Sequence, residues 1–135
     1  MNRSIFKAYD IRGIYPTDIN AETVTTIGKA CVKMFNEGEI ILAHDARHGS
    51  PELMSVLEQS ITSEAQSTHK NITVRIVGFS TTPMFYFHVN NFKASGGCMI
   101  TASHNPKEYN GIKMVKEGAE TISGTEVLKV VDSLQ

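Results

Sequence analysis

Thr101-Ala102-Ser103-His104-Asn105-Pro106 is the segment best equipped for chemistry. A serine hydroxyl is a poor nucleophile until a base or an electrostatic partner assists it. His104 stands beside it, with an imidazole whose charge changes near neutral pH. Asn105 offers hydrogen-bond donors, and Pro106 stiffens the loop and keeps Asn105 extended. Taken alone, these residues also make an ordinary polar turn in which serine bonds to nearby backbone. The surrounding charge argues for more. Phosphoryl transfer depends on positioning and on cations that balance the equatorial oxygens. Lys113 follows the loop, in a segment able to return toward it. Arg12 lies in Tyr9-Asp10-Ile11-Arg12-Gly13, where the glycine permits a tight turn and a close backbone approach. Arg47 follows Asp45, which can orient it as a local ion pair. Gathered at one edge, the three cations suit a serine that carries phosphate; singly, each is an ordinary solvated charge.

The other histidines carry no catalytic expectation. His44 continues a buried run, His48 and His69 fall in loop or helix-end positions, and His88 lies within an amphipathic helix. Met84, Phe85 and Phe87 of that helix read as core residues and not as a cofactor box.

Two periodicities alternate along the chain. Residues 21–36 place Val24, Ile27, Cys31, Met34 and Phe35 at helical spacing, with Asn20 as N-cap and Gly38 past the end. Ile40–Ala43 is a short apolar run of the kind buried on both faces of a sheet. Ser50-Pro51 predicts an N-cap followed by proline in the first turn, opening a helix with Leu53, Met54, Leu57 and Ile61 on one side. Ile72–Val77 is a β-branched strand, and Thr82-Pro83 opens a helix through Met84, Phe85 and Val89. Cys98–Thr101 is another buried strand, directly before the serine loop. A turn at Asn110-Gly111 and a hairpin arm over Gly111–Val115 are expected next. Ser123 and Glu126 have capping-box spacing before Val127, Leu128, Val131 and Leu134. That last helix meets no glycine, asparagine or proline terminator before Gln135, as in a frayed end or a longer protein cut short. The alternation implies an α/β fold with a mixed, mostly parallel sheet between helical layers. Polar residues beyond the carboxyl end of a strand are then well placed to bind a ligand.

The bulk properties narrow the classes further. A chain of 135 residues fits one domain, with a core that needs neither disulfides nor a structural metal. A net charge of −1 gives no global attraction for nucleic acid or anionic membrane. The first residues lack a signal-peptide stretch, and no apolar run approaches membrane-spanning length. Cys31 and Cys98 show neither metal spacing nor a disulfide framework, which fits a reducing, cytoplasmic setting.

Tyr-Asp-Ile-Arg-Gly at 9–13, Thr-Thr-Pro at 81–83, Thr-Ala-Ser-His-Asn-Pro at 101–106 and Tyr-Asn-Gly-Ile-Lys at 109–113 resemble the α-D-phosphohexomutases, within them the phosphomannomutase/phosphoglucomutase group. Order and spacing match from about Phe6 to Ser123. The resemblance implies that residues 1–135 are the N-terminal, phosphoserine-loop domain of a four-domain enzyme whose later domains lie outside this sequence. Ser103 would be phosphorylated and exchange its phosphoryl group with a hexose phosphate, between the 6- and 1-positions, through a hexose 1,6-bisphosphate intermediate. His104, Lys113 and Arg12 would be catalytic. Tyr9, Asn105 and Arg47 would bind substrate or phosphate, with Arg47 supporting the serine loop. Magnesium would bind the phosphorylated Ser103, its other ligands coming from the remaining domains of the same polypeptide.

Two departures qualify the resemblance. Ala43-His44-Asp45 stands where relatives commonly carry Gly-Arg-Asp, so that arginine's role is vacated. The aspartates Asp10, Asp18, Asp45 and Asp132 are scattered, so no octahedral oxygen site for magnesium can be assembled from neighbours in sequence. These 135 residues alone are therefore expected to be inactive as a mutase. Two alternatives remain: a phosphoglucosamine mutase domain, against which Tyr9-Asp10-Ile11-Arg12 argues, and a non-catalytic binding domain that kept the loop.

Overall fold

Apolar strands and amphipathic helices alternate because each strand must bury two faces. The computed structural model, which describes all residues from Met1 to Gln135, shows how they do so. In chain order the elements are β1 (Ile11–Ile14), α1 (Ala21–Met34), β2 (Gly38–His44), α2 (Ser50–Ser67), β3 (Ile72–Phe79), α3 (Thr82–Asn91), β4 (Gly96–Ile100), β5 (Tyr109–Lys116), β6 (Glu120–Ile122) and α4 (Gly124–Asp132). One mixed sheet runs β3-β2-β4-β5-β1, and β6 pairs with β5 beyond the end of β1. The α/β reading with helical layers holds. The parallel share is smaller than expected: β2 is parallel to β3 and β4, whereas β5 is antiparallel to β4, β1 and β6. The cause is that β5 returns directly from β4 without a crossover helix.

The connection β2–α2–β3 steps one way along the sheet and β3–α3–β4 steps back across β2. Right-handed crossovers then require α2 and α3 to lie on opposite faces. They do: Leu53, Leu57 and Ile61 join a core of 23 residues with α1 and α4, while Phe85 and Val89 join a separate core of seven. β2 and β4 are buried throughout residues 40–43 and 96–100. In the larger core Cys31 and Cys98 are free thiols with Sγ atoms 3.6 Å apart. Their mutual hydrogen bond and full burial push the Cys98 thiol well above its ordinary pKa. No helix is long and apolar enough to cross a membrane.

The local signals at the helix ends are mostly confirmed. Asn20 accepts from the Thr23 N–H at 3.0 Å, and Ser123 with Glu126 forms the full capping box. Four expectations are corrected. Ser50 is not a cap: Gly49, at φ 83°, holds that position, and the Ser50 hydroxyl is drawn instead to Asp45. Asn110-Gly111 is not a turn but lies inside β5. Asn110 is buried there, and Gly111 is needed because a Cβ would stand 2.0 Å from the Ile11 carbonyl oxygen of β1. Gly13 likewise sits in a strand and makes no turn; its close approach is real, with Asp18 Cβ 2.7 Å from where its own would be. Met84 and Phe87 are not core. They are 47% and 62% exposed, because the smaller core accepts just Phe85 and Val89 from α3.

Candidate functional site

The carboxyl ends of β2, β3 and β4 meet where the strand order reverses, the usual ligand crevice of an open α/β sheet. Three segments emerge there: Asp45–His48 after β2, Ser80–Pro83 after β3, and Thr101–Asn105 after β4. Ser103 borders two clefts at this end. One, of about 670 Å³ on the α3 side, includes Ser80, Thr82, His104 and Lys113. The other, of about 790 Å³, includes Tyr15, Arg47, His48 and Lys107.

Ser103 is exposed and its backbone is left-handed, with φ 52°. Such a conformation is uncommon for a residue with a side chain and costs on the order of 1 kcal/mol or more. It persists because the loop is tied at many points. The Ser103 N–H donates to Thr101 Oγ1 at 3.0 Å. The Asn105 N–H and Asn105 Nδ2 both donate to the Ala102 carbonyl, at 3.1 and 2.7 Å. Arg47 then clamps the loop from outside. Its Nη1 donates to the carbonyls of Pro106 and Tyr109 at 2.8 and 3.1 Å, and its Nη2 to those of Ser103 and Asn105 at 2.8 and 2.6 Å.

The clamp has its own support. Asp45 Oδ1 accepts from the Arg47 N–H at 2.9 Å and from Ser50 Oγ at 2.7 Å, while Asp45 Oδ2 lies 3.4 Å from Arg47 Nε. Asn110 Nδ2 donates to Ser50 Oγ at 3.0 Å and to the His48 carbonyl at 3.1 Å. A polar chain thus runs from β5 through Ser50 and Asp45 to Arg47 and the serine loop. Sequence reasoning found Arg47 and Asp45. It missed Ser50 and Asn110, which meet each other across 60 residues of chain. A buried Asn in a strand was the available signal, and it was read as a turn.

The expected site residues fall into three groups. Ser103, His104 and Lys113 share the α3-side cleft. Lys113 forms no ion pair and no side-chain hydrogen bond, so its cation is free to face an anion. Arg47 and Asn105 hold the loop, as expected of Arg47: all four Arg47 terminal N–H directions meet carbonyls, and Asn105 Nδ2 donates to Ala102. Arg12 and Tyr9 line neither cleft. Arg12 does lie on the same sheet face as Lys113, since it pairs with Gly111 while Ile11 pairs with Ile112 toward the larger core. Its guanidinium lies 3.4 Å from Asp10, and Tyr9 is 74% exposed.

The residues present do not make up a metal site. No three His, Cys, Asp or Glu side chains converge, and Asp45, which borders both clefts, is engaged by Arg47 and Ser50. Ser103 offers at most one ligand oxygen.

Comparison with known proteins bears on the family and the fold. The family model described as phosphoglucomutase/phosphomannomutase, alpha/beta/alpha domain I, matches residues 3–135. A phosphoglucomutase of Neisseria gonorrhoeae is 40% identical over 138 residues, covering 98% of this chain and 28% of that protein. Phosphohexose mutases of Xanthomonas campestris are 39% identical over 123 residues, covering 91% of this chain and 26% of theirs. The crystal structure of a phosphoglucomutase/phosphomannomutase family protein from Burkholderia thailandensis superimposes with a TM-score of 0.82 at 29% identity, over 99% of this chain and 31% of that one. The chain spans little more than a quarter of the length of the curated relatives it matches. From the motifs, the clamped serine loop and these matches together, the chain belongs to the phosphoglucomutase/phosphomannomutase family, matched along its domain I.

Proposed function

We propose that residues 1–135 serve as the phosphoserine domain of a hexose-phosphate mutase, with Ser103 as the phosphoryl carrier. The observation that carries this reading is the exposed, left-handed Ser103, held rigidly by Arg47 and bordering the same cleft as the unpaired Lys113. In the forward half-reaction a sugar hydroxyl attacks the phosphorus of phosphorylated Ser103. The P–Oγ bond breaks, Oγ recovers a proton, and a bisphosphorylated hexose results. After the sugar turns around, Oγ attacks the other phosphate and the P–O bond to the sugar breaks. The carrier is then phosphorylated again and the isomeric monophosphate is released.

His104 is suited to move the proton and Lys113 to balance charge on the transferring oxygens. Phosphoserine bears a charge of about −1.5 to −2 near neutral pH, which makes an unpaired cation beside it favourable. Arg12 and Tyr9 act at the rim, on the same sheet face. Magnesium, if bound to the phosphoserine, takes its other ligands from outside these residues. The remaining three-quarters of a relative's length supplies the sugar contacts, and the working enzyme is cytoplasmic.

Three measurements test the proposal. Incubation of the full-length protein with glucose 1,6-bisphosphate and magnesium, followed by intact-mass and fragment analysis, should locate one phosphoryl group on Ser103. A full-length Ser103→Ala variant should lose turnover by about 10⁴-fold or more, as nucleophile deletions do; normal turnover would refute the carrier role. The 135-residue chain alone should show no conversion of mannose 1-phosphate or glucose 1-phosphate.

A further inference from the structure

The wall of the Ser103 cleft at Ser80 and the start of α3 contains polar groups that the transfer steps leave unused. We infer that it is a preformed oxyanion subsite, built from the N-terminus of α3, the Ser80 hydroxyl and the Lys113 ammonium, that receives the non-bridging oxygens of a phosphate group.

Ser80 is 4% exposed, and its Oγ is buried without any hydrogen-bond partner. An unsatisfied buried hydroxyl is costly and calls for a partner that arrives with a ligand. Ser80 forms part of the cleft that Ser103 and Lys113 border. Directly after it the chain enters α3, a helix of 10 residues. Thr81 caps that helix by accepting from the Met84 N–H, and Pro83 has no N–H to offer. The backbone N–H groups of Thr81 and Thr82 find no acceptor. Unpaired amides at a helix start, with the positive end of its dipole, make an anion site. Thr82 Oγ1 has just a long contact to Met99 Sδ at 3.9 Å, so it too can turn to a ligand.

Charge in the cleft agrees. Lys113 is level with Met99 on the α3 face of the sheet and has no counter-ion. The one carboxylate in the wall, Asp45, is paired with Arg47 and accepts a hydrogen bond from Ser50. The amides and the hydroxyl come from one segment, Ser80–Thr82, and the ammonium from β5, which gives several donors for the several oxygens of a phosphate group. Two sources share this chemistry: the phosphoryl group on Ser103 itself, and a phosphate group of the sugar.

This subsite deepens the mutase reading, yet inorganic phosphate tests it without any phosphoryl transfer. The isotope-labelled 135-residue chain, unphosphorylated, is titrated with inorganic phosphate and followed by amide NMR. Saturable shifts at Thr81 and Thr82 are expected. Ser80→Ala should weaken binding about tenfold, as for a hydrogen bond to a charged group, and Lys113→Met at least as much, with spectra otherwise native. Shifts confined to Arg47 and Lys107, or binding unchanged in both variants, overturn the subsite. The source is read from the chain phosphorylated at Ser103. If phosphorylation itself shifts Thr81 and Thr82 and blocks inorganic phosphate, the subsite holds the carrier's own group; if phosphate still binds, it holds the sugar's. Thr81 and Thr82 responding in a protein whose Ser103 never takes phosphate would sustain the subsite and defeat the carrier role. The reverse result would do the opposite.

Discussion

Beneath α1, α2 and α4 the sheet gathers a core of 23 buried residues, whereas beneath α3 it gathers seven. The site clefts open at the end of this sheet, and the α3 side supplies Lys113 and the start of α3. The thin side also leaves Met84, Phe87 and Phe92 partly uncovered. Stability and chemistry are thus unevenly divided between the two faces. A layer that must leave polar groups open at its edge cannot also bury much apolar surface.

Substitutions can challenge that division. Leu57→Ala, on the thick face, should cost about 3–5 kcal/mol in denaturant unfolding because the site is fully enclosed. Val89→Ala on the thin face should cost about 1–2 kcal/mol. Equal losses at the two would show that the faces share the load. Within α3 itself, Phe85→Ala should lose about 3 kcal/mol or more and Phe87→Ala less than about 0.5, since the first is wholly buried and the second is 62% exposed.

Arg47→Lys probes the joint between the faces. One ammonium cannot reproduce four carbonyl contacts, so unfolding stability should fall by about 1–3 kcal/mol. Amides 101–109 should exchange faster than those of β4, and the full-length enzyme should lose far more activity than this stability loss explains. An intact loop by hydrogen exchange would refute the clamp.

The smallest effect belongs to α4. Hydrogen bonds from the Ser123 hydroxyl and then its backbone N–H hold the Glu126 carboxyl below its usual range. A depressed folded-state pKa stabilises above the unfolded value, near pH 4.3 for glutamate, and that contribution fades as pH falls through the folded value. Glu126→Gln should therefore cost a few tenths of a kcal/mol near neutral pH, and the cost should shrink as pH falls below the unfolded value. A pH-independent cost, read from parallel melts, would show that the carboxylate charge is irrelevant to the cap.

What could be read from the chain was what depends on near neighbours. Asn20 caps α1 through a residue three positions on, and Ser123 pairs with Glu126 over the same distance. β2 and β4 announced themselves as apolar runs because both faces are covered. Asn110 was misread because it bonds to Ser50 across 60 residues, and Ser50 because its hydroxyl serves Asp45; against such contacts a local turn or cap preference is weak. Met84 and Phe87 looked like core because α3 has apolar residues on most sides, and nothing local says which side meets the sheet. Ser103, His104 and Lys113 were legible as a group. That Arg47 would serve the loop's carbonyls was visible just in part, through the family resemblance.

The left-handed backbone at position 103 also constrains which hydroxyl amino acid can sit there. Threonine carries phosphate as readily as serine, but its branched β-carbon crowds the backbone at φ 52°. A swap that looks harmless to the chemistry would thus force the loop to let go of Arg47 or of its own shape.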